Sequence, residues 1–186
     1  MRIIAGDVRG RRLADVGAGD AAAHMRPTSD RVRESLFNVL AGAMGDPVSG
    51  AEVLDLFAGT GALGLEALSR GAASARFVEN GRVALSLLSQ NIDLCKYASR
   101  ARVIRQDACQ LGPCEGAPAT LLFVDPPYGQ GMGEKALAGA IKGGWLAPGA
   151  LVVWEENTPL LPPPGLRQLD MRRYGDTRIT MFEWVG

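Results

Sequence analysis

Residues 53–64 read VLDLFAGTGALG: an apolar run, a G-x-G-x-x-G pattern, and the start of a segment with helical spacing. Between a strand and a helix, Gly59 and Gly61 permit a tight turn and let a ligand approach the backbone closely. Such a junction needs a sheet around it, and the chain supplies one. Strands are predicted at 53–57, 75–79, 101–105, 119–124 and 150–155, separated by helices at 62–70, 82–95 and 133–142. Short apolar strands alternating with amphipathic helices predict an α/β fold, a mostly parallel, doubly wound, Rossmann-like sheet covered on both faces. The alternation stops after Pro162-Pro163-Pro164. There, 166–174 and 178–184 read as two strands joined by a tight turn at Gly175-Asp176.

Upstream of the sheet, residues 2–13, RIIAGDVRGRRL, read as a small basic hairpin with strand-like pieces around Gly6 and Gly10. Residues 14–23, almost entirely Ala, Gly, Asp and Val, predict a flexible connection. The stretch RPTSDRVRESLFNVL then predicts a helix capped by Thr28, Ser29 or Asp30, whose face of Val32, Leu36, Phe37, Val39 and Leu40 packs on the sheet. The expected organisation is a hairpin, linker and helix at 1–45 packed on a main domain at 46–186. Seven arginines against four aspartates give residues 1–33 a net charge of +3 in a chain whose formal charge is zero. Basic groups are thus concentrated in the N-terminal arm, where they can serve a nucleic-acid partner.

Composition narrows the chemistry. At 186 residues, 47% apolar and 22% charged, the chain has the proportions of one globular domain. Its apolar runs, such as 119–124 and 150–154, fall far short of the roughly 20 residues of a membrane span. Charge recurs from Arg2 onward and leaves no secretory segment, so a cytoplasmic, monomeric protein without membrane contact is expected. Cys95, Cys109 and Cys114 lack zinc-knuckle or redox spacing and read as free thiols. His24 is the only histidine, which excludes a site with two histidine ligands and leaves a serine triad dependent on one imidazole. No metal is expected.

Glu79 ends the second strand twenty residues after Gly59, where a carboxylate can accept hydrogen bonds from both hydroxyls of a ribose. With the loop residues Phe57, Ala58, Gly59, Thr60 and Gly61, and with Asn80 beside it, Glu79 predicts a site for an adenosine-containing cofactor. Asp55, a carboxylate in an otherwise apolar strand, must meet donors or positive charge. The pyrophosphate of NAD would repel it. S-adenosylmethionine brings instead an ammonium group, and a carboxylate suited to the positive end of the following helix. A dehydrogenase would also need a second half-domain, for which too little chain follows Val53. Asp107, with Ala108, is placed after the third strand to accept from the adenine amino group, or else caps a helix. Asp55 likewise has the alternative of bonding to local backbone.

The fourth strand runs into Asp125-Pro126-Pro127-Tyr128, at the same end of the sheet as the glycine loop. Successive prolines remove backbone donors and favour extended geometry, leaving carbonyl acceptors on display. Such a pocket suits an exocyclic amino group of a nucleobase, with Asp125 and the Pro126 carbonyl each taking one N–H. Tyr128 offers a ring on which an extruded base can stack.

On these residues the sequence resembles the bacterial family of 16S ribosomal RNA guanine-N2 methyltransferases, whose target is guanine 966. The resemblance is carried by 2–6 and 9–13, by RPTSDRVRESLFN at 26–38, by 55–72, by Phe77-Val78-Glu79 and by Asp125-Pro126-Pro127-Tyr128. It implies a seven-stranded methyltransferase sheet with the last strand antiparallel. The implied activity is methyl transfer from S-adenosylmethionine to guanine N2 in 16S ribosomal RNA, free or within the small subunit. It also implies that Arg26 and Thr28 lie near the methionine end of the cofactor. In the same reading Arg9, Arg11, Arg12, Arg26 and Arg31 grip RNA, phosphate contacts positioning the base without reading sequence. One departure is Gly81, which stands at a helix start where the family often has an acidic or amide residue and leaves Asn80 as the expected cap.

Three other readings share some of these features. A DNA methyltransferase acting on adenine N6 or cytosine N4 would use the same acceptor pocket, but the chain has no separate DNA-recognition region. A non-catalytic RNA-binding module would have no affinity for S-adenosylmethionine, and a dehydrogenase would bind NADH.

Overall fold

The structure is a computed structural model that describes residues 1–15 and 29–186. Its elements are α1 (Asp30–Ala41), β1 (Glu52–Leu56), α2 (Ala62–Ser69), β2 (Ser74–Val78), α3 (Arg82–Cys95), β3 (Ala101–Ile104), β4 (Ala119–Val124), α4 (Met132–Lys142), β5 (Leu146–Glu156), β6 (Leu166–Tyr174) and β7 (Thr177–Trp184). A 3-10 turn at Ala108–Gln110 follows β3. The predicted elements are all present with ends shifted by at most a few residues. Residues 16–28, and with them Arg26, Thr28, His24 and most of the expected linker, lie outside the described residues.

Seven strands form one sheet in the order β3-β2-β1-β4-β5-β7-β6. The first five are parallel, and β7 runs antiparallel to both β5 and β6. Strand order reverses between β1 and β4, which pair directly with Asp55 opposite Phe123 and Leu56 opposite Val124. Crevices for ligands open outside the carboxyl ends of strands at such a switch point.

Alternation along the strands sends side chains to two cores. On one face Val53, Phe77, Leu121, Phe123 and Val153 meet α1, α2 and α3, together with Ile3 and Leu13 of the N-terminal arm. On the other, Leu54, Leu56, Leu122, Val124 and Trp154 meet α4 and the 3-10 turn. The helix α1 starts at Ser29, whose hydroxyl accepts from Val32 N, and docks through Phe37, whose ring centroid is 5.9 Å from that of Phe123.

The N-terminal arm does form a hairpin, closed by one antiparallel bridge between Arg2 and Arg12 and by Leu13 N donating to Met1 O. Its anchor is Glu66 of α2, fully buried, whose carboxylate accepts from Ile4 N (2.8 Å) and Ala5 N (3.1 Å) and pairs with Arg70 (2.7 Å) and Arg33 (3.7 Å). Arg33, one of the seven arginines counted at 1–33, does not contribute to a basic surface. It is 0% exposed, donates to Arg2 O and pairs with Asp30, so its charge is inside the protein. A buried asparagine makes a second tether: Asn91 of α3 accepts from Ala14 N (2.7 Å) and donates to Ala14 O and Thr60 O. Through it the end of the hairpin is joined to the glycine loop.

Candidate active site

At the end of β1 the chain turns through three residues with positive φ: Phe57 (61°), Gly59 (57°) and Gly61 (81°). Phe57 is not glycine, and a bulky side chain in this region is held there only when its surroundings over-determine the backbone. Ala58 N donates to Val78 O and Gly61 N to Ala58 O, which fixes the turn. The third glycine has a packing role. A Cβ on Gly64 would overlap the Phe77 ring and come within 3.1 Å of Asp55 Oδ2. Thr60 and Ala58 are buried beneath the loop, and the Thr60 hydroxyl faces Met1 Sδ at 3.9 Å.

Glu79 organises the next turn. One carboxylate oxygen accepts from Gly59 N (2.8 Å), the other from Asn80 N (2.9 Å) and Gly81 N (2.7 Å). The expectation that Asn80 caps α3 is corrected. Gly81 occupies the cap position without a side-chain bond, Asn80 is exposed, and Glu79 instead accepts from the N–H groups of Asn80 and Gly81 just before the helix. Asp55, 1% exposed, accepts from Gly64 N at 3.0 Å, the local backbone bond weighed as its alternative. Burial pushes its carboxyl up to about 8; the Gly64 bond opposes the shift and the Glu79 charge adds to it. Asp107 accepts from Cys109 N (2.9 Å) at the start of the 3-10 turn, with Ala108 buried behind it.

Across the switch point, Asp125 and Glu155 follow the paired residues Val124 and Trp154 of β4 and β5. Asp125 is half-buried at its surface, yet its carboxyl is raised well above the ordinary range, by desolvation first and then by Glu155, Asp55 and Glu156. Pro126 is buried and Pro127 exposed. The Tyr128 hydroxyl donates to Glu155 Oε1 at 2.5 Å and lies 3.2 Å from Thr177 Oγ1. Burial and the Glu155 bond push its phenol up, so it remains a donor through the physiological range. Its ring is thus anchored at the hydroxyl end to β5 and β7.

Glu155, Glu156 and Thr177 were not singled out by sequence reasoning. Two acidic residues ending a predicted strand look like a solvated edge, and only the parallel pairing of β4 with β5 brings Glu155 to Asp125. Both glutamates are buried, at 8% and 5% exposure. The terminal hairpin reaches further: Tyr174 of β6 shares a hydrogen bond with Ser35 of α1 at 2.9 Å.

The outcome is an edge crowded with acceptors: Asp55, Glu79, Asp125, Glu155 and Glu156, with the glycine loop on one side and the Asp125–Tyr128 turn on the other. Such a rim repels anions and favours cations and N–H or O–H donors. An adenosine-containing sulfonium with ribose hydroxyls and an ammonium group fits these acceptors, and a pyrophosphate does not. Arg9, Arg11, Arg12 and Arg31 are exposed outside this rim, on the hairpin and on α1.

Over residues 1–183 the chain matches the family described as conserved hypothetical protein 95. It is 44% identical over 157 residues to ribosomal RNA small subunit methyltransferase D of Escherichia coli (strain K12), covering 84% of this chain and 75% of the relative. A second relative, the putative rRNA methyltransferase YlbH of Bacillus subtilis (strain 168), is 32% identical over the whole of both chains. Among solved structures, the putative methyltransferase yhhF from Escherichia coli superposes with a TM-score of 0.84 at 37% identity, covering 100% of this chain and 98% of that one.

Proposed function

Because the chain belongs to the family described as conserved hypothetical protein 95, we propose that it is a ribosomal RNA methyltransferase that uses S-adenosylmethionine. Its acceptor in this reading is the exocyclic N2 of a guanine in 16S RNA, guanine 966 by resemblance. The observation that carries the proposal is the direct pairing of β1 with β4, which brings the glycine loop and the Asp125-Pro126-Pro127-Tyr128 turn to one edge.

When bound, the cofactor supplies a methyl group on a positively charged sulfur. Glu79 would take the ribose hydroxyls, Asp55 and the start of α2 would serve the ammonium and carboxylate groups, and Asp107 would accept from the adenine amino group. Thr28, in the segment outside the described residues, is proposed at the methionine end. Asp125 and the Pro126 carbonyl each accept one N–H of the target amino group, which turns the nitrogen lone pair toward the methyl carbon. An aromatic amino group is too weak an acid to lose its proton first, so deprotonation follows attack. Burial first, and then the Glu155, Asp55 and Glu156 charges, raise the Asp125 pKa and make its carboxylate the stronger base for that proton. Most of the acceleration comes from alignment, for which positioned reactants gain about 7–11 kcal/mol. Tyr128, with its hydroxyl tied to Glu155, gives a fixed ring for a flipped base.

Guanine suits this pocket better than adenine or cytosine. Guanine carries N1–H on one side of its N2 amino group and the N3 acceptor on the other, so it brings an extra donor to an acceptor-rich rim, whereas adenine and cytosine have no ring N–H beside the amino group. The test is methylation of protein-free 16S RNA with labelled S-adenosylmethionine, followed by nuclease mapping and nucleoside analysis. N2-methylguanosine at a single position is expected; label found only on adenine or cytosine, or only in DNA, would overturn the assignment.

Cofactor binding should also carry a proton signature. With its pKa near 8, Asp55 holds a proton at neutral pH in the ligand-free protein. An ammonium group beside it would draw the pKa back down, so binding at about pH 7 releases about one proton and tightens as pH rises toward 8. Calorimetry in two buffers of different ionisation enthalpy measures this, and Asp55→Asn should abolish the release. The sign for folding is opposite to that of a salt-bridged carboxylate. The folded state binds the extra proton, so the stabilisation is full below the unfolded pKa near 4 and is lost as pH rises through about 8. A ligand-free protein whose melting temperature is independent of pH between about 5 and 8 would contradict this.

A further inference from the structure

The arginines of the described residues fall into two groups. Arg33 and Arg70 are held by Glu66, Arg100 by Asp7, Arg102 by Glu115, Arg167 by Glu183 and Arg172 by Asp170. By contrast Arg9, Arg11, Arg12, Arg31, Arg76, Arg82, Arg105, Arg173 and Arg178 have no carboxylate within 4.0 Å among the described residues. Five of them, Arg9, Arg11, Arg12, Arg82 and Arg105, border two adjoining concavities. Arg82 and Arg105 border a concavity of about 780 Å³ over the outer face of α3, which presents Ser86, Ser89 and Gln90 to it. Arg9, Arg11 and Arg12 border a second, of about 560 Å³, on the N-terminal hairpin. Leu94 lines both, so the two adjoin. Two aspartates also line them, Asp93 and Asp7, and Asp7 is already paired with Arg100 at 3.5 Å.

We infer that the outer face of α3 and the hairpin form one track for the sugar-phosphate backbone of RNA, leading from the hairpin to the carboxyl edge of the sheet. The inference rests on the proposed action on ribosomal RNA and extends it to a binding surface outside the pocket. Three features favour an extended polyanion over a single small one. The cations stand at the two ends of α3 rather than converging, Arg82 and Arg105 near its start and Arg9, Arg11 and Arg12 on the hairpin that meets it at Leu94, along a helix of fourteen residues, about 21 Å long. Hydroxyl and amide groups lie between them and suit phosphate and ribose oxygens. Arg82 and Arg105 stand just after the carboxyl ends of β2 and β3, so a strand held there is delivered to the rim where Asp125 lies. A positive groove that follows the backbone with few base contacts is the usual solution for single-stranded nucleic acid.

Binding of protein-free 16S RNA, measured across a range of salt concentrations, tests the track. Each phosphate contact adds about 0.7–0.9 to the slope of log affinity against log salt. The double variant Arg82→Gln/Arg105→Gln should lower that slope by about 1.5 and weaken binding about tenfold at moderate salt. Its affinity for S-adenosylmethionine should be unchanged, which separates the track from the pocket. The control Arg167→Gln/Arg172→Gln, at ion-paired positions on β6, should bind RNA like wild type. A wild-type slope in the first variant, or an equal loss in the control, overturns the track while leaving the methyltransferase reading intact. Failure of the wild-type protein itself to bind RNA would instead remove the reading on which the inference rests.

Discussion

Replacing Asp125 by alanine should reduce methyl transfer by at least about 10²–10³-fold, the range seen when one preorganised group that acts on the reacting centre is removed. S-adenosylmethionine should still bind, because the loop at 57–61 and Glu79 are untouched. The protein should also stay folded. Asp125 is crowded by Glu155, Asp55 and Glu156, and deleting one of several mutually repelling carboxylates relieves the site rather than breaking it. Lost activity would then be chemical in origin. Asp125→Asn keeps an acceptor for the amino group but loses the base, so it should fall between alanine and wild type. In cells, a strain lacking this gene and complemented with the Asp125→Ala copy should leave its target guanine unmodified. Methylation of that guanine at the wild-type level would sink the assignment of Asp125.

The largest effect on stability should come from a residue that touches no ligand. Glu66→Ala removes the buried acceptor of Ile4 N and Ala5 N and leaves Arg33, at 0% exposure, without its carboxylate partner on α2. Breaking a buried ion pair from one side costs about 3–5 kcal/mol, because the remaining charge stays buried. The loss should be seen as a lower urea midpoint, accompanied by earlier proteolysis of the N-terminal arm. Glu66→Gln retains one acceptor and should be less severe. An unchanged midpoint for the alanine variant would mean that the arm does not depend on this carboxylate.

Glu66 also shows where sequence reading stops. It lies in a helix amid apolar residues, and its partners Ile4 and Ala5 are 62 and 61 positions away. The pattern of the chain carries no record of such a pairing. The same holds for Asn91, for the Tyr128–Thr177 contact across 49 positions and for the Ser35–Tyr174 contact across 139. Arg33 enters the sequence count only as one of the seven arginines of residues 1–33, and its burial is decided by the packing of α1 against Glu66 of α2. Asn80 was expected at a cap because its type is common there. The structure puts Gly81 at the cap, and Glu79, one residue before Asn80, accepts from the Asn80 and Gly81 N–H groups at the turn into the helix.

By itself, the sequence determined the alternation of strands and helices, the glycine turn after β1, the terminal strand pair and the acceptor-rich turn after β4. Each follows from local causes: side-chain periodicity, the steric freedom of glycine and the missing N–H of proline. Only the tertiary structure decided which carboxylates share the rim with Asp125, which arginines are neutralised and which face solvent. Desolvation and Coulomb attraction depend on distance through space, and that distance is set by how the sheet orders its strands.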